Sequence, residues 1–261
     1  MFNRIPAFAG MTKNSMHVTD HARRYIRQTQ LTEIGEAGQK RLQDAAVLVV
    51  GTGGIGTPAL TYLNAAGIGT LGIIDDDRVE ISNLNRQILF EEADIGRPKT
   101  DAARDRLEEQ NSATRIITHT YAITAENAET IISNYDIILD GCDDFATRHA
   151  VNAACVAVKK PLISASVLGW HGQITSFDAR HEASPCYACF VHPQAPNANN
   201  CTSGGVIGAV AGIMGSMAAL EVMHHVLGSP QLIGKLLLFD GLHHPQRTVT
   251  LTRDSACMVC S

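Results

Sequence analysis

Apolar residues along the chain fall into runs of two kinds. Ala45-Ala46-Val47-Leu48-Val49-Val50 is uninterrupted and stops at a glycine cluster, the pattern of a short strand buried on both faces of a parallel sheet. Helical spacing follows from Ile55 to Ala66, and a second apolar run, Leu71-Gly72-Ile73-Ile74, ends in Asp75-Asp76-Asp77. Together these predict a βαβ unit. Lys99 to Gln110, directly after Pro98, reads as an amphipathic helix, and Arg115 to Thr120 and Asp136 to Leu139 read as strands. Thr147 to Val158 reads as a helix stopped by Lys159-Lys160-Pro161, and Leu162 to Ser166 as a strand extending the parallel set. The alternation predicts an α/β fold with a doubly wound, Rossmann-like, mostly parallel sheet.

From Gly172 the pattern changes. Gln173 to Phe177, Lys235 to Asp240 and Arg247 to Thr252 read as antiparallel strands, interrupted by a polar loop from Ala183 to Ser203 and a long apolar helix from Val206 to Leu227. The uncharged stretch of that helix, Val206 to Leu220, is shorter than the roughly 20 residues a bilayer requires and is closed by Glu221. It is therefore read as core or dimer interface.

Composition narrows the class. At 261 residues, 45% hydrophobic and 18% charged, the chain has the balance of a globular protein with a substantial core. Its net charge of −5 provides no basic footprint for nucleic acid. The first residues hold only a short, Pro-interrupted apolar stretch, which is no signal peptide, so residues 1–23 are expected to be a disordered extension, with Met11 or Met16 as alternative starts. A cytoplasmic enzyme is expected. Seven cysteines are odd in number and sparse for a disulfide framework, which favours reduced thiols, a metal site or a reactive cysteine.

The candidate chemistry begins at Gly51-Thr52-Gly53-Gly54-Ile55-Gly56, between the first strand and the first helix. Gly51, Gly53 and Gly56 have the spacing of a dinucleotide-type fingerprint, in which glycines allow a tight turn and bring backbone N–H groups to a phosphate at a helix N-terminus. Asp75, about 20 residues on, stands where a carboxylate accepts hydrogen bonds from ribose hydroxyls. This pair fits NAD and ATP equally.

The next segments, Ser82-Asn83-Leu84-Asn85-Arg86-Gln87 and Asp94-Ile95-Gly96-Arg97-Pro98-Lys99, favour ATP. Hydride transfer has no evident use for Arg86 and Lys99 beside the ribose strand, whereas fixed cations hold a triphosphate and stabilise departing pyrophosphate. Asp140-Gly141-Cys142-Asp143-Asp144 ends another strand on the same sheet edge, where carboxylates can hold magnesium. Cys186-Tyr187-Ala188-Cys189 and Cys257-Met258-Val259-Cys260 have the intra-pair spacing of a tetrahedral structural zinc site. Cys201 stands alone before the Val206 helix, where a helix N-terminus raises the thiolate fraction.

In this order, and with Arg24-Tyr25-Ile26-Arg27-Gln28 ahead of them, these motifs resemble the ThiF/MoeB/HesA adenylyltransferases, bacterial relatives of the ubiquitin-activating enzymes. The resemblance covers about Arg24 to Cys260 and implies one adenylation domain over 24–261, with a zinc-stapled, carrier-interacting region over about 172–261. It implies that MgATP adenylates the C-terminal glycine carboxylate of a ubiquitin-like sulfur carrier, releasing pyrophosphate. Gly51, Gly53, Gly54, Gly56, Asp75, Asp77, Ser82 and Asn83 would line the nucleotide site, with Asp75 on ribose. Asn83, Arg86 and Lys99 would contact the phosphates and Asp143 would bind magnesium. Arg27 would reach a neighbouring subunit's site, implying a homodimer. Cys186, Cys189, Cys257 and Cys260 would bind zinc, and Cys201 could join the carrier's C-terminus. A sulfurtransferase or cysteine desulfurase is a further expected partner. Where the family has Asp-Asn, this chain has Asp143-Asp144, so an extra carboxylate is expected to alter magnesium or adenine contacts slightly.

Within the family, segments such as Gly56-Thr57-Pro58-Ala59 and Ser164-Ala165-Ser166 look closer to ThiF, so a ThiS-type carrier of thiamine thiazole biosynthesis is the expected substrate. The alternative is MoeB-type activation of the MoaD-type molybdopterin-synthase carrier. An NAD(P)-dependent oxidoreductase and a non-catalytic nucleotide-binding adaptor stay open from the glycine loop alone. His224-His225 and His243-His244 are read as solvated or capping histidines, Cys142 and Cys155 as core, and Trp170 as either groove lining or core.

Overall fold

The computed structural model describes residues 23–193 and 205–261. Two short helices, α1 (Ile26–Thr29) and α2 (Gly35–Asp44), precede β1 (Ala46–Val50) and α3 (Gly56–Ala66). Then come β2 (Thr70–Ile74), single 3₁₀ turns at Ile81–Asn83 and Glu92–Asp94, α4 (Lys99–Gln110), β3 (Arg115–His119), α5 (Ala128–Ile132) and β4 (Ile137–Asp140). Helix α6 (Phe145–Ala157), β5 (Leu162–Leu168), β6 (His171–Phe177), α7 (Tyr187–Phe190), α8 (Gly208–Leu227), β7 (Lys235–Asp240) and β8 (Gln246–Thr250) complete the described chain. The predicted strands and long helices are all present within a few residues.

All eight strands form one sheet in the order β3-β2-β1-β4-β5-β6-β7-β8. Strands β3 to β5 of that order pair in parallel and β5 to β8 antiparallel. Strand β1 has β2 on one side and β4 on the other, so its carboxyl end is where the winding reverses and where open α/β sheets form a crevice. One face of the sheet is covered by α2, α3, α4 and α8, with Leu42, Leu60, Leu63, Leu107 and Met214 fully buried. The other is covered by α5 and α6 through Ile131, Ile132, Val151 and Ala154. Strands buried from both sides must be apolar throughout, which is why β1 and β2 read as unbroken runs.

Helix α2 is absent from the sequence-based prediction because its pattern, Gly35-Glu36-Ala37-Gly38-Gln39-Lys40, is mostly polar. Packing supplies what propensity lacks: Leu42 is fully buried, and buried Gln39 donates to the Ala66 carbonyl at 3.0 Å. Helix α8 is long and apolar enough by composition to cross a membrane, yet Val210, Ala211, Met214, Ala218 and Val222 are buried against α3 and the sheet. Ala and Gly let it approach closely: a Cβ at Gly215 would lie 2.4 Å from the Ile55 carbonyl oxygen.

His225 corrects the expectation of a solvated or capping residue. Its side chain is only 2% exposed, and Nε2, 3.6 Å from Glu221 Oε1, has no hydrogen-bond partner. Glu221 is itself buried and accepts from Ser176 Oγ (3.0 Å), Gln231 N (3.0 Å) and Leu232 N (2.9 Å), so its lone pairs are committed elsewhere. Burial pushes the His225 pKa down to about 4, against the smaller upward pull of Asp178, while Arg180, His181 and His224 push it further down. The folded pKa lies below the unfolded one, so the unfolded chain takes up the extra proton between about pH 6.5 and 4. Stability should therefore fall as pH drops through that window, by as much as about 3 kcal/mol, and His225→Leu should flatten the dependence in urea titrations. His243 fits its expectation: exposed, it pairs with Asp240 Oδ2 at 2.9 Å.

Candidate active site

The glycine loop is shaped by two steric demands. Gly51 has φ of +85°, and a Cβ there would press on the Cys142 backbone nitrogen at 3.2 Å. A Cβ at Gly56 would lie 1.9 Å from the Gly51 carbonyl oxygen, so that glycine serves the close fold-back of α3 onto the loop. Gly56 does not line the cavity. Thr52, fully buried, donates from its backbone N–H and its hydroxyl to Asp75 Oδ2 at 2.7 and 2.6 Å, tying the loop to the end of β2. The second Asp75 oxygen accepts the Asp77 N–H at 2.9 Å.

These residues open on a cavity of about 1370 Å³ at the carboxyl ends of the parallel strands. Gly51, Gly53, Gly54, Asp75, Asp77, Asn83, Arg86, Lys99 and Asp143 all line it, so residues spread over nearly a hundred positions converge there. Ser82 and Arg27 are not in its wall. Ser82 contributes its carbonyl instead, accepting from Arg86 Nη1 at 2.9 Å, with Asn85 Oδ1 accepting at 3.1 Å. Asn83 closes the 3₁₀ turn by accepting the Glu80 N–H at 3.1 Å.

Lys99 is placed against electrostatic preference. It is a 5%-exposed cation at the first residue of α4, where the helix dipole disfavours positive charge. Its ammonium group pairs with Asp77 Oδ2 at 2.7 Å, and that carboxylate is mostly exposed. A cation buried at a helix N-terminus and facing a cavity is arranged for an anion brought from outside. The carboxylates of Asp75, Asp76 and Asp77 also gather within 4.8 Å of one another, and exposed Asp143 lines the same cavity.

Asp144 lines the same cavity wall and also has a local structural role. Its Oδ2 accepts the Thr147 N–H at 2.7 Å, making it the N-cap of α6, and this bond holds its carboxyl below the usual range. Asparagine would serve this capping role equally, so the cap does not account for the extra carboxylate. Asp144→Ala should cost about 1 kcal/mol in thermal denaturation and Asp144→Asn much less.

Two residues given no role by the sequence complete the floor. Arg148, buried on α6, donates to Asp140 Oδ2 (3.3 Å), Ser164 Oγ (3.0 Å) and the carbonyls of Ala165 (2.9 Å) and Cys142. A lone arginine one turn after Asp144 on an apolar helix face was the available signal. Gln87, 3% exposed, faces the cavity with its Oε1 unpartnered. Cys142 sits at the cavity wall, where burial raises its pKa, and Cys155 is buried in the core as expected. Trp170 is 43% exposed and therefore not core. The cavity continues past the nucleotide loop to Val167, Leu168, Gln173, Leu238 and Arg247 on the antiparallel strands. Cys201 lies outside the described residues, as does the segment 1–22.

The two cysteine pairs meet. Cys186 and Cys189 are 3.9 Å apart at sulfur, Cys186 and Cys257 3.7 Å, and Cys189 and Cys260 3.5 Å. Disulfide bonding requires about 2.05 Å, whereas four thiolates each about 2.3 Å from a zinc ion lie roughly 3.8 Å apart along a tetrahedron's edges. The donor set and its spacing fit zinc, with four thiolates and no open position, which makes such a site structural.

A doubly wound α/β sheet with a glycine loop, an acidic strand end and buried cations facing one crevice defines a nucleotide-binding type of protein. The chain belongs to the ThiF family, whose profile matches residues 25–259. It is similar to proteins named adenylyltransferase and sulfurtransferase MOCS3, 46% identical over 242 residues in Culex quinquefasciatus and 44% over 245 in Mus musculus. Those alignments take in 91% and 92% of this chain but 55% and 53% of the relatives, so the chain spans about half the length of the curated relatives it matches. The fold resembles E. coli MccB solved with ATP (TM-score 0.79, 24% identity, 91% of this chain and 74% of that one). It also resembles PaaA (TM-score 0.77, 21% identity, 96% and 79%).

Proposed function

We propose that the chain is an ATP-dependent adenylyltransferase that activates the C-terminal carboxylate of a ubiquitin-like sulfur-carrier protein. The observation that carries this reading is the convergence of the glycine loop, Asp75, Arg86, Lys99 and Asp143 on one cavity. Asp75 would meet ribose, and Arg86 and Lys99 the phosphates. Asp143 would hold magnesium, which when bound supplies further neutralisation of phosphate charge. The carrier's carboxylate is already ionised near pH 7, so attack on the α-phosphate needs alignment and charge neutralisation rather than a general base. An extended carrier tail would lie along the cavity's extension past β5 to β8, lined by Val167, Leu168, Gln173, Leu238 and Arg247. Arg27, exposed on α1 and outside its own chain's cavity wall, would serve a second protomer's site.

The relatives favour the molybdopterin-type carrier over the thiamine-type carrier, since the chain's high-identity matches are MOCS3 proteins. Of the segment Ser164-Ala165-Ser166 that suggested ThiF, Ser164 and Ala165 are buried strand positions and Ser166 lines the cavity. Comparing carrier-dependent exchange of labelled pyrophosphate into ATP with the two carriers tests this choice. Faster exchange with the molybdopterin-type carrier is expected; faster exchange with the thiamine-type carrier reverses it.

A further inference from the structure

Asn152 stands one turn after Arg148 on α6 and is 1% exposed. Its Oδ1 accepts the Tyr187 N–H at 2.8 Å, which fixes the amide against the residue that follows Cys186. Its Nδ2 makes no hydrogen bond in this structure, and an unpaired buried amide donor is costly. Asn152 and Cys186 share the wall of a second cavity, of about 210 Å³, with Cys260, Lys159, Lys160 and Arg253. Arg253 further ties the cluster down by donating to the carbonyls of Glu182 (2.6 Å) and Cys260.

A neutral thiol is a poor acceptor, but a thiolate is a strong one, and hydrogen bonds to a charged acceptor are roughly twice as strong as neutral ones. A zinc tetrathiolate also carries net negative charge, which the three cations around the second cavity oppose. We infer that Asn152 is an outer-sphere donor to the cysteine cluster, its free Nδ2–H pairing with the Cys186 sulfur once metal converts that thiol to thiolate. The inference rests on the zinc reading of the four cysteines. It assigns α6 a double duty: Arg148 fixes the cavity floor and Asn152, one turn on, fixes a metal ligand.

The full-length chain tests it with zinc itself. Zinc affinity is measured by competition with a chromogenic chelator for wild type, Asn152→Asp and Asn152→Leu, with circular dichroism as the folding control. Asn152→Asp keeps the acceptor for Tyr187 N–H and loses the donor, so it should weaken zinc binding about 10- to 100-fold. It should also be worse than Asn152→Leu, because a carboxylate then faces a thiolate. If Asn152 only anchors Tyr187, Asn152→Asp matches wild type and the leucine variant alone is weakened, which overturns the inference. In the cobalt-loaded protein, loss of the N–H···S bond raises the sulfur lone-pair energy, so the thiolate-to-cobalt charge-transfer band should move to lower energy in both variants. An unmoved band in a folded variant overturns the inference even where Asn152→Asp fails to fold. A wild-type chain that retains no zinc against the chelator overturns the zinc reading instead, so the two failures are distinguishable.

Discussion

Arg148→Met should lower the stability of the chain by about 3 to 5 kcal/mol. The guanidinium is buried and joins β4 to β5 through Asp140, Ser164 and Ala165, and it holds the Cys142 carbonyl at the cavity wall. Asp140 is 1% exposed, and without Arg148 its carboxylate keeps only the Cys142 N–H at 3.0 Å. An isolated carboxylate in the interior either takes up a proton or draws in water, and both weaken the fold. The pairing also works on the arginine: despite the burial that lowers its pKa, the nearby Asp140 charge leaves it raised, so it stays protonated at every working pH. A urea titration should show a lower midpoint at unchanged slope. Adding Asp140→Asn to Arg148→Met should recover part of the loss, because the stranded charge is then gone. An unchanged midpoint in Arg148→Met would mean that the buried pair contributes no net stability.

Lys99→Ala should act in the opposite sense, sparing the fold and removing activity. Lys99 is buried against electrostatic preference, and its mostly exposed partner Asp77 stays solvated when the cation is removed, so stability should change by less than about 1 kcal/mol. Removing a fixed charge aimed at a transition state costs far more, about 10²- to 10³-fold in rate. Arg86→Ala should give a loss of the same order, since Arg86 lines the same wall. Carrier-dependent pyrophosphate exchange, measured alongside a denaturation curve, separates the two effects. A Lys99→Ala protein that unfolds early and exchanges normally would remove Lys99 from the phosphate site.

What could be read directly from the chain follows from locality. β1 and the glycine loop are legible because an unbroken apolar run meets Gly51, and α4 because Pro98 marks its start. Lys99, Arg86 and Asp143 are legible as candidates because each follows a strand or opens a helix on the same sheet edge. The cysteine pairs are legible because metal ligands keep their spacing within a pair, though their meeting across the fold is a tertiary fact. Arg148, Gln87, Asn152 and His225 were not legible as site or core residues. In each, burial by distant segments decides the chemistry: β5 makes Arg148 a hub, Tyr187 pins Asn152, and the Glu221 pocket strips His225 of water. Ser82 was the reverse case, a side chain expected at the nucleotide that stands outside the cavity wall, its hydroxyl donating to Glu80 and its carbonyl holding Arg86.

The central claim is that this cavity couples ATP to a carrier's C-terminal carboxylate. The most direct measurement is exchange of labelled pyrophosphate into ATP by the purified chain with magnesium, in the presence and absence of a ubiquitin-like carrier ending in Gly-Gly. Exchange that appears only with the carrier, and disappears when the carrier's last glycine is deleted, is the predicted result. Absence of exchange with both molybdopterin-type and thiamine-type carriers, in a protein that is folded and binds ATP, would contradict it.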